Sequence, residues 1–413
     1  MKMRVVFVLL ALAIVSNQAF AKDSRTLILE HANVVDPLSN APALDQTIVL
    51  CDGKIKSISC APAKMPGERI DLRGAWVLPG LIDAHLHVES IAAARCMLSL
   101  GVTTGRSMFT RGYADVGLRT LHKHGDADIP NFLAAGYPVL ACMLRFEPDL
   151  SGIFFDYPEL DDLRKIERIG PDGARRIVRA NADRHVDWIK VFANERAGAP
   201  GTDPSTRNLN DEELRAAVEE ATRLGLPSAA HAYSDEGVAA AVNAGVRSVE
   251  HGSLITEPTV KLMHERGVVF VPTLFTLKPN ASHGESSLQP RMKLFFKSGC
   301  QAVMMARRLG VPVIAGSDSG YVSENHSVID EIIVLASAGL SNLEAIRSAT
   351  SLSAECLKIS SAKGALKPDL DADLVAYEEN PVKDLAVLRK PILVINGGKV
   401  FLRKNGVRTI LDK

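Results

Sequence analysis

Two histidines stand two residues apart at the end of an apolar run, Val77-Leu-Pro-Gly-Leu-Ile-Asp-Ala-His85-Leu-His87. Residues two apart on a β-strand point to the same face, so both imidazoles can reach one metal ion. The run predicts a buried strand whose last residues emerge at the end of a sheet or barrel. Because imidazole is a common zinc ligand, the pair predicts either two metal ligands or, more simply, a polar strand end.

The elements that must position these histidines follow a repeating pattern between residues 76 and 360. Apolar strand-like runs alternate with amphipathic helical stretches, such as those over Asp211 to Leu224 and Gln289 to Arg308, which is typical of βα units. Eight candidate strands end near His87, Ser107, Arg145, Phe192, Tyr233, Gly252, Leu274 and Asp318. Eight such units favour an α/β fold of the (β/α)8 TIM-barrel type, whose reactive groups lie at the C-terminal ends of the strands.

Residues with metal-binding chemistry stand at five of these predicted strand ends. They are His85, His87, Lys190, His231, His251 and Asp318. A single histidine on a strand is more often a core residue than a ligand, but that explanation has to hold separately at several strand ends. We therefore predict that these side chains converge on one metal site.

Lys190 is the most informative of the six, because Trp188-Ile-Lys190-Val-Phe192 places an ammonium in an otherwise apolar strand. An unpaired buried lysine is costly as a cation. Its neutral amine can react with carbon dioxide to form a carbamate, an anion able to bridge two cations. The alternative is an ion pair with a nearby carboxylate such as Glu195.

Another His-x-His pair, His122-Lys-His124, has a different setting. It follows Leu118-Arg-Thr-Leu121 at helical spacing and precedes Gly125. This pattern predicts a helix C-terminus, where cationic side chains interact favourably with the helix dipole. We assign no metal role to this pair.

Both chain ends carry short β-type runs separated by Asp/Gly or Asn/Gly turns, from about Thr26 to Leu78 and again from Asp373 onward. We expect residues 22–78 and 362–413 to build one small β-sandwich beside a hydrolase barrel of residues 79–361. The first 21 residues have a basic start, an apolar stretch and Ala19-Phe20-Ala21, which is typical of a secretory signal peptide. We therefore expect an exported protein, periplasmic or secreted, with no stable membrane insertion after cleavage.

Composition points to a small-molecule substrate as the partner. Forty-eight basic and 48 acidic residues cancel, and with 5% aromatic residues there is no footprint for nucleic acid. Six scattered cysteines contain no Cys-x-x-Cys pattern, so their pairing stays open, including that of Cys51 with Cys60. Both a monomer and a homo-oligomer are compatible with this composition.

Five motifs in order give the chain a resemblance to the amidohydrolase superfamily, within its imidazolonepropionase-like and prolidase-related (Xaa-Pro dipeptidase-like) branch. They are Gly80-Leu-Ile-Asp-Ala-His-Leu-His87, Trp188-Ile-Lys190-Val, Ala230-His231-Ala-Tyr233, Val249-Glu-His251-Gly and Ala315-Gly-Ser-Asp318. The resemblance covers nearly the whole chain after the signal peptide, including the segment from Gly364 to Asp373 that returns into the sandwich.

The resemblance implies a binuclear centre of two divalent cations, with zinc the best fit to nitrogen and oxygen ligands and manganese or cobalt as alternatives. His85 and His87 would bind the more buried ion with Asp318, while His231 and His251 would bind the second. Carboxylated Lys190 would bridge them. Asp318 would act as the catalytic acid and base for a metal-bridged hydroxide. A mononuclear site of His85, His87, His231 and Asp318 is the alternative.

Substrate contacts are predicted for Tyr233, Arg106 and Arg196, as donors to a carbonyl or carboxylate. The chain departs from related dipeptidases at Thr104-Gly-Arg-Ser-Met108 and after Phe192. The predicted function is hydrolysis of the C–N bond of a dipeptide or N-acyl amino acid. Alternatives are a cyclic amide such as an imidazolone or lactam, an aryl amide, carbamate or urea, and, more remotely, a non-catalytic binding barrel.

Overall fold

A computed structural model describes residues 26–404 and 408–410, apart from 127, 142–159, 161, 164–165, 167, 199, 280–285 and 324. The predicted signal peptide and the predicted strand end at Arg145 lie outside the described residues. No helix in the described part of the chain combines the length and the apolar character that crossing a bilayer requires.

Sixteen strands form in these residues. In chain order they are β1 (Thr26–Val34), β2 (Ala43–Cys51), β3 (Lys54–Ser59), β4 (Glu68–Asp71), β5 (Trp76–Pro79), β6 (Leu81–Leu86), β7 (Val102–Ser107), β8 (Asn131–Leu133), β9 (Ile189–Phe192), β10 (Ser228–Ser234), β11 (Ser248–Leu254), β12 (Val269–Val271), β13 (Leu374–Tyr377), β14 (Leu393–Asn396), β15 (Lys399–Arg403) and β16 (Arg408–Ile410).

Eleven α-helices accompany them in the same described ranges. They are α1 (Ile91–Ser99), α2 (Ala114–His124), α3 (Gly170–Asp183), α4 (Asp211–Arg223), α5 (Asp235–Ala244), α6 (Glu257–Glu265), α7 (Leu274–Leu277), α8 (Gln289–Arg308), α9 (Val328–Ser337), α10 (Asn342–Ser348) and α11 (Ser351–Cys356). Two predicted helices, α4 and α8, lie where the periodicity placed them. The predicted C-terminus after His122 and His124 is also confirmed, because α2 ends there and Gly125 adopts a left-handed cap.

Strands from the two chain ends share one nine-stranded sheet. Its order is β15-β14-β13-β5-β1-β2-β3, with β4 pairing to both β1 and β16 off this path. A tight turn with Asp52 and Gly53 at positive φ joins β2 to β3. Cys51 therefore lies opposite Lys54 and not Cys60, and both cysteines are free. Strands from both chain ends thus pair in one sheet, while the predicted β-sandwich and the domain boundaries stay predictions.

Two further sheets are entirely parallel. One has the order β6-β7-β8 and the other β12-β11-β10-β9. Their strands are buried along almost their whole length, and helices connect most successive strands. This is the arrangement expected of an α/β protein whose parallel strands are covered on both faces.

Two extended segments join these sheets through backbone hydrogen bonds. The Val139 N–H donates to the Lys190 carbonyl at 2.8 Å, so the chain after β8 contacts β9. On the other side, residues 313–319 lie between β12 and β6: the Ile314 N–H donates to Phe270 and the Ala84 N–H to Ala315, both at 2.9 Å. The strand predicted to end near Asp318 is thus an extended segment with isolated bridges. The predicted strand end at Leu274 is wrong, because β12 stops at Val271 and α7 begins at Leu274.

Candidate metal centre

All six predicted metal-binding residues line one cavity of about 450 Å³. His85 is on β6, with His87 just after it; Lys190 is on β9, His231 on β10 and His251 on β11. Asp318 comes from the extended segment beside β6, where its N–H donates to the His85 carbonyl at 2.7 Å. The structure thus brings the six residues together from five places in the chain.

Each histidine of the His-x-His pair is held through its Nδ1 atom. His85 Nδ1 lies 2.7 Å from Glu250 Oε2, and His87 Nδ1 lies 3.0 Å from the Phe109 carbonyl oxygen. Carbonyl and carboxylate oxygens accept hydrogen bonds, so both rings carry their hydrogen on Nδ1. The Nε2 lone pairs are left to face the cavity, which is the orientation that a metal ligand needs.

His251 is oriented from the next strand end. Its Nδ1 lies 2.7 Å from the hydroxyl of Thr273. The backbone of both residues is left-handed, with φ values of 75° and 46°, a conformation that costs about 1–3 kcal/mol for a residue with a side chain. Backbone N–H groups of Leu274 and Phe275 donate to the Glu331 carboxylate at 2.9 and 2.8 Å and so hold the turn that carries Thr273.

Asp318 is held by its neighbours in the 313–319 segment. The buried carboxylate of Asp83 accepts hydrogen bonds from the Ser317 N–H at 2.9 Å and from the Tyr321 hydroxyl at 2.7 Å. Asp318 also has a left-handed backbone, with φ of 53°. Its Oδ1 lies 2.9 Å from His87 Nε2 and 3.4 Å from His85 Nε2. The carboxylate is therefore fixed between the two imidazoles.

The four imidazoles form a continuous row. Ring centroids are 5.4 Å apart for His87 and His85, 5.3 Å for His85 and His251, and 4.4 Å for His251 and His231. Aromatic rings pack against the far end of the row. Phe192 stacks on His231 at 4.3 Å, and Tyr233 stacks on His251 at 4.8 Å.

Burial shifts the ionisation of the centre toward unprotonated imidazoles and amine. Desolvation, with Lys190 nearby, lowers the pKa of His85 to about 4, and desolvation also holds the pKa values of His231 and His251 well below the ordinary range. Desolvation lowers the pKa of Lys190 to about 8. The pKa of Asp318 stays well below its usual range despite its burial, because the neighbouring histidines favour the carboxylate.

The donor set fits a metal centre on two observations. Lys190 Nζ and His231 Nε2 are buried and have no hydrogen-bond partner among the described residues. His87 Nε2 and Asp318 Oδ1 are two acceptors only 2.9 Å apart, and such a contact needs a proton or a cation between its partners. Ligand atoms of His85, His251 and Asp318 all lie within 4.8 Å of one another. The alternative for Lys190, an ion pair with Glu195, is not found among the described residues, since Lys190 Nζ has no partner there and Glu195 accepts the Asp203 N–H at 2.9 Å.

Two of the three predicted substrate residues, Tyr233 and Arg196, line the same cavity. The prediction for Arg106 is not supported by its position. Its side chain is fully buried and is not part of the cavity wall. Its guanidinium donates hydrogen bonds to the Ala84 carbonyl, the Ser248 hydroxyl and the Glu250 carboxylate. It is therefore not placed to bind a substrate carboxylate.

Sequence reasoning missed several residues of this site. Glu250 binds His85, Thr273 binds His251, and Phe109 and His326 form part of the cavity wall. Glu250 carried a weaker signal than Lys190: it is a charged residue directly before the predicted ligand His251, in the buried strand Ser248–Leu254. The left-handed turn at Thr273 has no such signal.

Comparison with known proteins identifies the family. Residues 76–401 match the model of the amidohydrolase family. The chain belongs to the amidohydrolase family. It is therefore an enzyme of a group that hydrolyses carbon–nitrogen bonds and is generally metal-dependent, as the motifs predict.

Individual relatives agree with this assignment. An uncharacterized protein of Mycobacterium tuberculosis is 30% identical over 388 residues, covering 86% of this chain and 93% of the relative. Ochratoxinase of Aspergillus niger is 30% identical over 240 residues, covering 56% of this chain and 50% of that enzyme. A crystal structure of a prolidase complexed with N-methylphosphonate-L-proline superposes with a TM-score of 0.81 at 27% identity, covering 92% of this chain and 100% of that chain. The predicted relationship to prolidases is confirmed.

Proposed function

We propose that this protein is a binuclear metal-dependent amidohydrolase, built on a closed (β/α)8 barrel, that cleaves the amide bond of a dipeptide or N-acyl amino acid. The observation that carries the proposal is that Lys190 Nζ and His231 Nε2 are buried with no hydrogen-bond partner among the described residues, while both side chains line the cavity together with Asp318. An apolar or structural role would leave these atoms desolvated with no compensation. Bound cations and a carboxylated lysine would compensate for this loss of solvation.

The six residues divide between two sites in this proposal. His85, His87 and Asp318 would hold the more buried cation, His231 and His251 would hold the second, and carboxylated Lys190 would be available to both. Zinc fits this set of nitrogen and oxygen donors best. When bound, the two cations lower the pKa of a water molecule and polarise the scissile carbonyl.

Lys190 becomes a bridging ligand through a reaction with carbon dioxide. The neutral amine nitrogen forms a bond to the carbon of carbon dioxide and releases one proton, leaving a carbamate anion. Burial supports this step, because it lowers the pKa of Lys190 to about 8 and so favours the neutral amine. The resulting negative charge is better matched to the cations than the ammonium that it replaces.

Asp318 moves the proton. Its carboxylate accepts a proton from the attacking water and delivers it to the leaving nitrogen, so the C–N bond breaks after the C–O bond has formed. The hydrogen bonds that Asp83 accepts from Ser317 and Tyr321 hold the chain segment on either side of Asp318, and so keep the Asp318 carboxylate in place during proton transfer. Tyr233, whose hydroxyl pKa is raised by burial, remains a hydrogen-bond donor to the substrate carbonyl at all physiological pH values.

The cavity wall supports a substrate with an apolar portion and an anionic group. Apolar side chains on the wall include Phe109, Leu140, Phe192, Leu277 and Met292. Arg196 supplies a cation for a carboxylate at the same cavity. An aryl amide is the second candidate, favoured by the two phenylalanines and by the similarity to ochratoxinase.

We also propose that the protein is exported, with cleavage after Ala21. The basic start, the short apolar stretch and the Ala19-Phe20-Ala21 sequence support this. The intact mass of the protein recovered from the periplasm tests it, with loss of residues 1–21 as the expected result. An unshortened chain in the cytoplasm would contradict the proposal.

The function is tested by elemental analysis followed by substrate panels. Protein purified without a histidine tag is expected to contain about two divalent ions per chain and to cleave Xaa-Pro dipeptides or N-acyl amino acids. Cleavage confined to aryl amides, carbamates or ureas, or to cyclic amides, would replace the proposed substrate class. A single ion per chain would favour the mononuclear site, and no turnover of any panel would leave only a binding protein.

A further inference from the structure

Arg106 occupies an unusual position for a charged residue. It lies on β7 with a side chain that is fully buried, beneath the metal centre rather than in its cavity. Its guanidinium packs over the Trp188 ring at 4.4 Å from the ring centroid. A buried ion pair of this kind contributes little net stability compared with apolar packing, so stability is a weak reason for its presence.

The contacts of Arg106 all lead toward His85. Its Nη2 donates to Glu250 Oε1 at 2.9 Å, and its Nη1 donates at 2.9 Å to Ser248 Oγ, which itself donates to the same Glu250 oxygen at 2.6 Å. Its Nε donates at 2.6 Å to the carbonyl of Ala84, the residue before His85. Among the described residues, the polar contacts of the guanidinium therefore reach the backbone beside His85, the carboxylate that binds His85, and the Ser248 hydroxyl that donates to that carboxylate.

The two carboxylate oxygens of Glu250 bind different partners. Oε1 accepts from Arg106 and Ser248, while Oε2 accepts from His85 Nδ1 at 2.7 Å. Without Arg106, this fully buried carboxylate would lose its only cationic neighbour at hydrogen-bond distance among the described residues. It would then be free to rotate away from His85 or to take up a proton.

We propose that Arg106 is a positioning residue that, through Glu250, holds His85 in its metal-binding tautomer and orientation. The inference rests on the metal centre of the proposed function. It predicts unequal effects within that centre, because the contacts of Arg106 and Glu250 support His85 of the more buried site, whereas His251 of the second site is held by the Thr273 hydroxyl. Among the described residues, no carboxylate pairs with His231 in the way that Glu250 pairs with His85, and the His231 ring packs on Phe192.

The first experiment measures cobalt binding to chelator-treated protein by absorption spectroscopy. In Arg106→Gln, we expect one of two binding steps to weaken by about 10- to 100-fold, as is typical for loss of a carboxylate–histidine contact, and the other to change by less than about threefold. Arg106→Lys should recover part of the loss. Equal weakening of both steps, or no change in either, would overturn the proposal.

A double-mutant cycle separates positioning from simple support of the fold. If Arg106 acts through Glu250, the substitution Arg106→Gln should weaken cobalt binding at the affected site much less in the Glu250→Gln background than in the wild-type background. Additive losses would contradict the pathway. Arg69→Gln is the matched control, because it breaks the partly buried pair with Glu30 in the nine-stranded sheet and should leave cobalt binding unchanged.

A metal-independent readout distinguishes failure of this inference from failure of the proposed function. In metal-free protein labelled with ¹⁵N-histidine, the His85 signal, assigned with His85→Gln, should show the Nδ1–H tautomer. Arg106→Gln should give a mixture of tautomers. If wild-type protein binds one cobalt ion or none while this shift still occurs, the binuclear function fails and the positioning role stands. An unchanged tautomer would remove the positioning role alone.

Discussion

The two halves of the metal centre are built differently. On one side, His85 and His87 each have Nδ1 fixed by an oxygen of the protein, and Asp318 lies between them. On the other side, Lys190 Nζ and His231 Nε2 are buried with no hydrogen-bond partner in the described structure, and Phe192 covers the His231 ring. The first half is prepared by the protein before any ion binds. In the second half, the Thr273 hydroxyl holds His251, but Lys190 and His231 lack such a partner among the described residues.

The largest expected effect tests the half that lacks partners. Lys190→Ala removes the proposed bridging ligand, so we expect metal content to fall from the proposed two ions to one or fewer and kcat/KM to fall by about three orders of magnitude, or ~4 kcal/mol. Elemental analysis and steady-state kinetics measure the two changes.

Lys363→Ala is the matched control for this variant. Lys363 is also largely buried, but it pairs with Asp371 at 2.9 Å and with Asp373 at 2.5 Å in the terminal β unit. Its loss should lower stability and leave metal content unchanged. Two tightly held ions in Lys190→Ala would show that the second half does not depend on a bridge.

Acid should destabilise the metal-free protein through the buried histidines of both halves, and His85 gives the contribution of the first half. The pKa of His85 is about 4 in the folded state and near 6.5 in the unfolded chain, so between these values the unfolded chain binds more protons. Stability is therefore fully present above pH 6.5 and is lost as the pH falls toward 4, by ~3 kcal/mol from His85 alone.

Thermal unfolding of chelator-treated protein between pH 7.5 and 4, in steps of about half a pH unit, measures this loss. His85→Gln should have a flatter profile over the same range, because it lacks the titrating ring. The idea fails if the two profiles have the same slope.

A smaller effect is expected from the cavity wall next to the second half. Arg196→Gln should raise KM about tenfold for substrates with a free carboxylate, since a charge-assisted hydrogen bond is worth ~1.5 kcal/mol or more. The matching carboxamide substrates provide the control and should show little change. Equal effects on both substrate forms would assign Arg196 to positioning of the loop after β9 instead of carboxylate binding.

Much of the site could be predicted because its ligands are chemically conspicuous. Lys190 stands in an apolar strand, and four histidines stand at the ends of three strands. The same signal occurs at Arg106 and Glu250, but charge in a strand does not say whether a side chain faces the cavity or the interior. Arg106 was therefore predicted to meet substrate, while three protein oxygens hold it below the cavity.

Backbone geometry accounts for most of the remaining errors. His251, Thr273 and Asp318 adopt left-handed backbone conformations that non-glycine residues rarely take. Their residue types alone do not predict these conformations. The turn at Thr273 ends β12 three residues before the predicted end and starts a short helix. These conformations depend on distant groups such as Glu331 and Asp83, which only the folded chain brings near.

The smallest expected effect compares the two His-x-His pairs of the chain. His122 and His124 end α2, and His122 Nδ1 lies 2.8 Å from the Ile129 carbonyl oxygen. Replacing both by Gln should leave metal content unchanged and lower the free energy of unfolding by only ~0.5 kcal/mol, from weaker helix-dipole and hydrogen-bond terms. The same double replacement at His85 and His87 should remove at least one ion.

Loss of metal from the His122 and His124 variant would mean that spacing alone makes a ligand pair. Retention would show that the strand end, with Glu250 and Asp318 around it, is what turns the spacing into a site.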